Sequence, residues 1–84
     1  MKAHYILVLD TDDGRKTFEK TQNNPEFVPH TGDSIQVAGE QLRVATFYTF
    51  ESVYVSAYLY LINTHLDVTA FIAGLHAEGW TEKK

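Results

Sequence analysis

The clearest pattern in the chain is an alternation of apolar and polar residues over 52–61, SVYVSAYLYL. Successive side chains of a β-strand point to opposite faces, so this pattern predicts a strand with two different faces. One face carries Val53, Val55, Ala57, Leu59 and Leu61, and the other carries Tyr54, Ser56, Tyr58 and Tyr60. The aliphatic set is typical of a core, and the tyrosine set needs a separate explanation.

Four further stretches have the character of strands. Residues 4–10 (HYILVLD) are almost continuously apolar, which is typical of a strand buried on both faces. Residues 15–21 are mostly polar around Phe18 and predict an edge strand, whose Lys and Glu residues discourage pairing with other chains. Two more stretches, 34–37 and 42–50, alternate. The TDDG turn and a loop with two prolines separate the first three strands.

Turn signals between the last three strands predict how they pair. The Gly-Glu pair at 39–40 lies between alternating stretches and predicts a type II′ hairpin turn, with Val37 opposite Leu42. A two- or four-residue turn between the last two strands places Tyr48 opposite Val55. In this register the aliphatic side chains of all three strands share one face.

The last element is predicted to be a helix with a signal at each end. Asp67 is a good N-cap, and Leu66 before it is placed to contact the fourth helical residue. Gly79 lies where a left-handed residue ends a helix, and Trp80 then follows as the residue that packs back on the last turn. The apolar stripe consists of Val68, Phe71, Ile72 and Leu75, at i, i+3, i+4 and i+7.

These elements predict an α+β fold in a single domain over residues 1–84. We expect a five-stranded antiparallel meander with one C-terminal helix packed on it. Alternation defines the two sets of side chains but does not decide which set the helix covers. It also leaves open whether the sheet is flat or curls into an SH3-like barrel.

Composition narrows the classes of partner. The chain has 84 residues, 44% of them hydrophobic, and no cysteine, so it has a small core without disulfides. No stretch approaches the roughly 20 apolar residues of a membrane span, and the N-terminal apolar run is too short for a signal peptide. We therefore expect a cytoplasmic protein. The net charge of −4 and scattered basic residues make nucleic-acid binding an unfavoured alternative.

Few residues indicate catalytic chemistry. The four histidines are dispersed without metal-ligand spacing, and DTDDG departs from the calcium-loop pattern, so no metal or cofactor is expected. His30 and Asp33 are close enough in sequence to form an acid–base pair, yet no nucleophile motif accompanies them. The enzyme alternative is a pocket between the 22–33 loop and the aromatic strands, with His30 or Asp33 as the base.

The tyrosine side of the sheet is the candidate site. Its predicted members are Arg43, Phe47, Tyr54, Tyr58, Tyr60 and Ile62, with Arg43 placed to stack on Tyr60. Three interpretations compete: a second small core covered by curling of the sheet or by Phe27 and Val28 of the 22–33 loop, a homodimer interface, or a face for a small molecule or unstacked bases. We expect a non-enzymatic interaction domain that self-associates through this face.

Overall fold

The computed structural model describes residues 1–11, 14–60 and 67–83. The described residues form strands and one helix, so the predicted α+β class is confirmed at this level. In chain order the elements are β1 Lys2–Thr11, β2 Gly14–Asn23, β3 Ser34–Val37, β4 Glu40–Tyr48, β5 Ser52–Tyr60, α1 Val68–Ala77 and β6 Thr81–Lys83. Within these residues no helix is long and apolar enough to cross a membrane.

The strands form one mixed, open sheet in the order β3-β4-β5-β1-β2-β6. Strands β1 and β5 are parallel, and the other neighbours are antiparallel. The predicted five-stranded antiparallel meander is therefore wrong, and so is the alternative of a closed barrel. The segment 24–33 takes the chain from β2 on one side of the sheet to β3 at the opposite edge, which leaves β1 in the centre.

The central position of β1 agrees with its composition, because strands in parallel pairs are usually buried on both faces and read as apolar runs. The prediction that β2 is an edge strand is wrong, since β6 pairs with it over residues 17–19. Strand β6 was not predicted. It is antiparallel to β2, so it runs in the same direction as β5, and α1 is the crossover that joins these two strands.

The β3–β4 hairpin turns one residue earlier than predicted. Ile35 lies opposite Leu42, and the turn residues are Ala38 and Gly39, with φ of 48° and 87°. Positive φ at both central positions defines a type I′ turn, which matches the twist of the two strands. The predicted type II′ turn at 39–40 is therefore wrong, and each residue of β3 pairs two positions away from its predicted partner.

The β4–β5 hairpin shows the same displacement. Tyr48 lies opposite Val53 rather than Val55. The four-residue turn is closed by the Thr49 amide and hydroxyl, which both donate to the carbonyl of Ser52 at 2.8 and 3.0 Å. A displacement by two residues keeps every side chain on its original face, because the period of a strand is two. The predicted division into two faces therefore survives both errors.

Helix α1 packs on the aliphatic face, which answers the question that alternation left open. Phe71 and Leu75 of the helix are buried, and Val68 and Ile72 are partly buried against the same cluster. The predicted apolar stripe is thus confirmed. The largest fully buried side chains are Phe18, Leu7, Leu9, Leu75, Val53 and Val55.

Both predicted helix ends are confirmed. The Asp67 side chain accepts a hydrogen bond from the Ala70 amide at 3.2 Å, and Leu66 lies outside the described residues. At the other end Gly79 has φ of 94°, and the amide of Trp80 donates to the carbonyl of Leu75 at 2.9 Å. This Schellman ending turns the chain back, so that Trp80 is buried in the core.

The loop 24–33 also lies on the helix side of the sheet. Val28 packs against the core, and the Pro29 carbonyl accepts a hydrogen bond from the Thr46 hydroxyl at 2.7 Å. Thr46 shares the core-facing side of β4 with Val44, because the two are two residues apart. The prediction that this loop folds over the tyrosines with Phe27 and Val28 is therefore wrong.

Candidate interaction face

The side of the sheet opposite α1 carries aromatic and aliphatic side chains across three neighbouring strands. Phe47, Tyr54 and Tyr58 are 67%, 37% and 49% exposed. We call this surface the aromatic face and define it by Phe47 on β4, Tyr54 and Tyr58 on β5, and His4, Ile6 and Val8 on β1. It alternates along each strand with the buried core positions, so the packing of the core holds it in place.

One end of the aromatic face is a row of three rings. Phe47 lies opposite Tyr54 on β5, and Tyr54 lies beside His4 on β1. The His4 and Tyr54 rings are stacked, with centroids 5.0 Å apart and planes inclined by 20°. His4 is also within hydrogen-bond distance of the Thr21 hydroxyl, 3.4 Å from its Nδ1. The row thus forms a ridge that contains one stacked pair of rings, with Phe47 beside it on β4.

The middle of the face is lower than its ends. The second row contains Ala45, Ser56 and Ile6, which lie side by side on the three strands. Two residues along a strand span roughly 6.6 Å, so the ridges at Tyr54 and Tyr58 are about 13 Å apart. Ala45 and Ser56 have short side chains, so the surface over β4 and β5 dips between the rows of Tyr54 and Tyr58.

The other end of the face is held by a polar cluster. The Tyr58 hydroxyl donates a hydrogen bond to Oδ2 of Asp10. Arg15 Nε and Nη2 each lie 3.4 Å from a different oxygen of the same carboxylate, as in a bidentate pair. The Arg15 guanidinium carbon lies 5.8 Å from the centroid of the Tyr58 ring. These contacts orient Tyr58 while its ring stays exposed.

The charges in this cluster compensate one another. The hydrogen bond from Tyr58, followed by that from Arg15, lowers the pKa of Asp10. The same hydrogen bond to Asp10 raises the pKa of the Tyr58 hydroxyl. At neutral pH the carboxylate is therefore ionised and the phenol is protonated. A phenol with a raised pKa is a poor nucleophile, and the contacts of the cluster fix the position of Tyr58.

Only some of the predicted members of the face have side chains among the described residues. Phe47, Tyr54 and Tyr58 lie on it together, and Arg43 shares it because its neighbour Val44 is buried. Ile62 and the side chain of Tyr60 lie outside the described part of the chain, so the predicted Arg43–Tyr60 contact is not tested.

The contributions of β1 and β2 were missed by sequence reasoning, since the β1–β2 hairpin was not predicted to lie beside β5. Asp10, Arg15 and the three β1 members of the face all come from this hairpin. The signal that could have found them is the continuous apolar stretch at 4–10. A strand that is apolar on both faces is typical of the interior of a sheet, where it has a paired strand at each of its two edges.

The predicted acid–base pair forms a turn instead. The Asp33 carboxylate accepts a hydrogen bond from the backbone amide of His30 at 2.9 Å, and the Asp33 amide donates to the His30 carbonyl at 2.9 Å. The interaction is with backbone and not with the imidazole. In the described residues, no group of three His, Asp or Glu side chains is arranged to hold a metal ion.

A cavity of about 240 Å³ does lie beside the 22–33 loop, but on the helix side of the sheet. Phe27 and Pro29 of the loop line it, together with Tyr5, Lys20 and Trp80. The predicted pocket between the loop and the exposed tyrosines is therefore misplaced. Neither His30 nor Asp33 is among the described residues that line this cavity.

Comparison with known proteins adds no assignment: no protein-family model, no curated protein and no solved structure matches the chain. The aromatic face and the cavity are therefore interpreted from their own geometry.

Proposed function

We propose that this protein is a non-enzymatic interaction domain that pairs with a second copy of itself through the aromatic face. The observation that carries this proposal is the exposure of three large aromatic side chains on one side of the sheet, with Phe47 at 67%. Tyrosine and phenylalanine are enriched in protein interfaces, and a ring fixed by its neighbours loses little entropy on binding. Here stacking and the Asp10 cluster fix the two tyrosines.

The size of the surface favours a protein partner. The four strands β4, β5, β1 and β2 are nine or ten residues long. With about 4.8 Å between strands and about 3.3 Å per residue, they form a rectangle of roughly 15 by 30 Å. Its flat area is about 450 Å², to which side-chain relief adds, compared with roughly 800 Å² per partner in a standard interface. A small ligand would cover only a fraction of it.

The charges on the face favour a second copy as that partner. Arg43 on β4 and Glu19 on β2 flank the two central strands, and Glu19 lies on this side because it pairs with Ile6. A twofold axis parallel to the strands, passing between β5 and β1, places β4 of one copy over β2 of the other. Arg43 is then offset from the Glu19 of the other copy by two residues along the strands, roughly 6.6 Å, which its long side chain can span, and the contact occurs twice, as an isologous interface requires. The Asp10–Arg15 pair is already neutral.

The test is the solution mass by light scattering over a dilution series for wild type, Phe47→Asp and Phe50→Asp. Phe50 is 99% exposed in the β4–β5 turn, so the control loses the same ring and gains the same charge outside the face. We expect a dimer for wild type and Phe50→Asp, and a monomer with an unchanged circular dichroism spectrum for Phe47→Asp. A monomeric wild type at all concentrations, or equal effects of the two variants, contradicts the proposal.

A charge exchange tests the arrangement within the dimer. Arg43→Glu and Glu19→Arg should each weaken association, because each brings two like charges together at two symmetric places. The double variant should restore it. If the double variant is weaker than either single one, the twofold arrangement is wrong. Salt-sensitive binding of a single-stranded oligonucleotide by the monomeric wild type would instead assign the face to nucleic acid.

A further inference from the structure

We propose that the cavity beside the end of α1 binds a small aromatic carboxylate. We call it the Trp80 cavity, and its relevant lining residues are Tyr5, Lys20, Phe27, Gln36, Glu78 and Trp80. It opens on the helix side of the sheet, away from the aromatic face. The inference therefore does not depend on self-association.

The walls of the Trp80 cavity suit a flat ring. Trp80 is 4% exposed, and its indole meets the Tyr5 ring edge to face, with centroids 6.4 Å apart and planes at 75°. Phe27 lines the same cavity from the loop and is 74% exposed. A ring bound against Trp80 and Tyr5 would cover part of the Phe27 side chain, which is otherwise in water. Aromatic pairs in such arrangements contribute beyond the area that they bury.

The size of the cavity limits the ligand to a small molecule. Its volume is about 240 Å³, below the roughly 300–1,000 Å³ of pockets that hold drug-sized ligands. One six-membered ring with a short acidic side chain fits within this limit, whereas a nucleotide does not.

Lys20 is the group at the cavity that favours an anionic ligand. Lys20 is half-buried, and the ion pairs found among the described residues are Asp10–Arg15 and Lys16–Glu82, so this ammonium group belongs to neither. The Glu78 carboxylate also lines the cavity and keeps its negative charge, but its Oε2 accepts a hydrogen bond from the Ala38 amide at 2.6 Å, which directs this oxygen to the β3–β4 turn.

A carboxylate on the ligand would give Lys20 a charge-assisted hydrogen bond inside a mostly apolar site. The phenol of Tyr5, whose pKa is raised by burial, and the amide of Gln36 provide further donors. These groups explain a preference for an acid over a neutral molecule of the same shape.

The experiment uses Trp80 as the reporter, because it is the one tryptophan of the chain and lies in the cavity wall. Its intrinsic fluorescence is followed during titration with phenylacetate, with the neutral phenylacetamide and with the cationic phenethylamine. We expect a saturable change with phenylacetate and an affinity roughly tenfold higher than for the amide, as one charge-assisted hydrogen bond supplies. The amine should bind most weakly.

Two lysine variants make the test specific. Lys20→Gln should reduce the affinity for phenylacetate to that for the amide. Lys16→Gln should leave it unchanged, since Lys16 lies on the same strand and the same side but pairs with Glu82 at 3.8 Å. Phe27→Ala removes a side chain that is 74% exposed, so it should leave folding unchanged and weaken the binding of acid and amide alike.

The proposal is overturned if folded wild type shows no saturable change up to tens of millimolar phenylacetate, if acid and amide bind equally, or if Lys20→Gln and Lys16→Gln behave alike. Phe47→Asp should bind phenylacetate as wild type does. A failure of the aromatic face to associate and a failure of this cavity to bind are therefore separate results.

Discussion

The two faces of β5 differ in burial although both are largely apolar. Val53, Val55 and Ala57 are 0–4% exposed under α1, whereas Tyr54 and Tyr58 are 37% and 49% exposed on the other side. Aliphatic side chains carry no polar atoms, so the helix can cover them without cost in lost hydrogen bonds. Tyrosine has a hydroxyl that must keep a partner when buried. Hydrophobicity alone therefore does not decide which face becomes the core.

Side-chain height adds to this difference. On the covered side the helix comes close to the β3–β4 turn: a Cβ placed on Gly74 of α1 would lie 3.1 Å from the Cβ of Ala38. The aromatic ridges would hold a helix further from the sheet and leave space above Ser56. A single helix with one apolar stripe can cover only one face. The aliphatic face is flatter than the aromatic face, so the helix packs on it more closely. The remaining face is the one suited to a partner with its own relief.

The largest expected effect is on the free energy of unfolding, when one phenylalanine on each face is replaced by alanine. Phe18→Ala on the covered face removes a fully buried ring and should lower the free energy of unfolding by about 3–5 kcal/mol. Phe47→Ala on the aromatic face should change that of the monomer by no more than about 0.5 kcal/mol. Urea unfolding monitored by circular dichroism measures both.

Association must be separated from folding in this comparison. A dimer raises apparent stability with protein concentration, so both variants are measured over a dilution series and compared at the dilute limit. If Phe47→Ala costs as much as Phe18→Ala under these conditions, the aromatic face is part of the core of the monomer. The distinction between the two faces would then be wrong.

A smaller effect tests the close approach on the covered face. Alanine is about 1 kcal/mol better than glycine inside a helix. In Gly74→Ala this gain is opposed by the 3.1 Å contact with Ala38, so we expect little or no stabilisation. In the background of Ala38→Gly, which removes that methyl group and the positive φ of a non-glycine residue, the same change should stabilise the protein by about 1 kcal/mol.

Thermal unfolding of the four proteins of this double-mutant cycle gives the coupling. Ala73→Gly, at the adjacent exposed position, measures the alanine preference of α1 without the contact. Equal effects of Gly74→Ala in both backgrounds would show that the helix and the β3–β4 turn do not constrain each other.

Local features of this fold could be predicted from the sequence, whereas long-range pairing could not. Asp67, Gly79 and Trp80 act within two helical turns of their partners, so their types and spacing predict both helix ends. The hairpin registers failed because pairings displaced by two residues place the same side chains on the same face. Pattern alone cannot distinguish them, and the left-handed conformation of Ala38 has no signal in its residue type.

The candidate site was predicted in part for the same reason. Phe47, Tyr54 and Tyr58 follow from alternation within two adjacent strands. Asp10 and Arg15 reach Tyr58 through the parallel pairing of β1 with β5, which joins residues 50 positions apart in the chain. A long segment between β2 and β3 does not specify which edge β3 joins, so this pairing has no local signal.

The smallest expected effect concerns the cluster that fixes Tyr58. Because the folded protein lowers the pKa of Asp10, its ionisation stabilises the fold above the unfolded pKa of about 3.9, and this contribution is lost as the pH falls through the lower folded value. The melting temperature of wild type should therefore exceed that of Asp10→Asn slightly near pH 7, and the difference should shrink below about pH 4.

Both proteins carry Phe47→Asp in this experiment, so that association does not contribute to the melting temperature. Tyr58→Phe should lower the melting temperature when Asp10 is present and have a smaller effect in Asp10→Asn, because the hydroxyl donates to that carboxylate. A difference between wild type and Asp10→Asn that stays constant from pH 7 to pH 3 would mean that the carboxylate does not hold Tyr58. The ridge at that end of the aromatic face would then be orientated by packing against Val8 and by the Arg15 guanidinium alone.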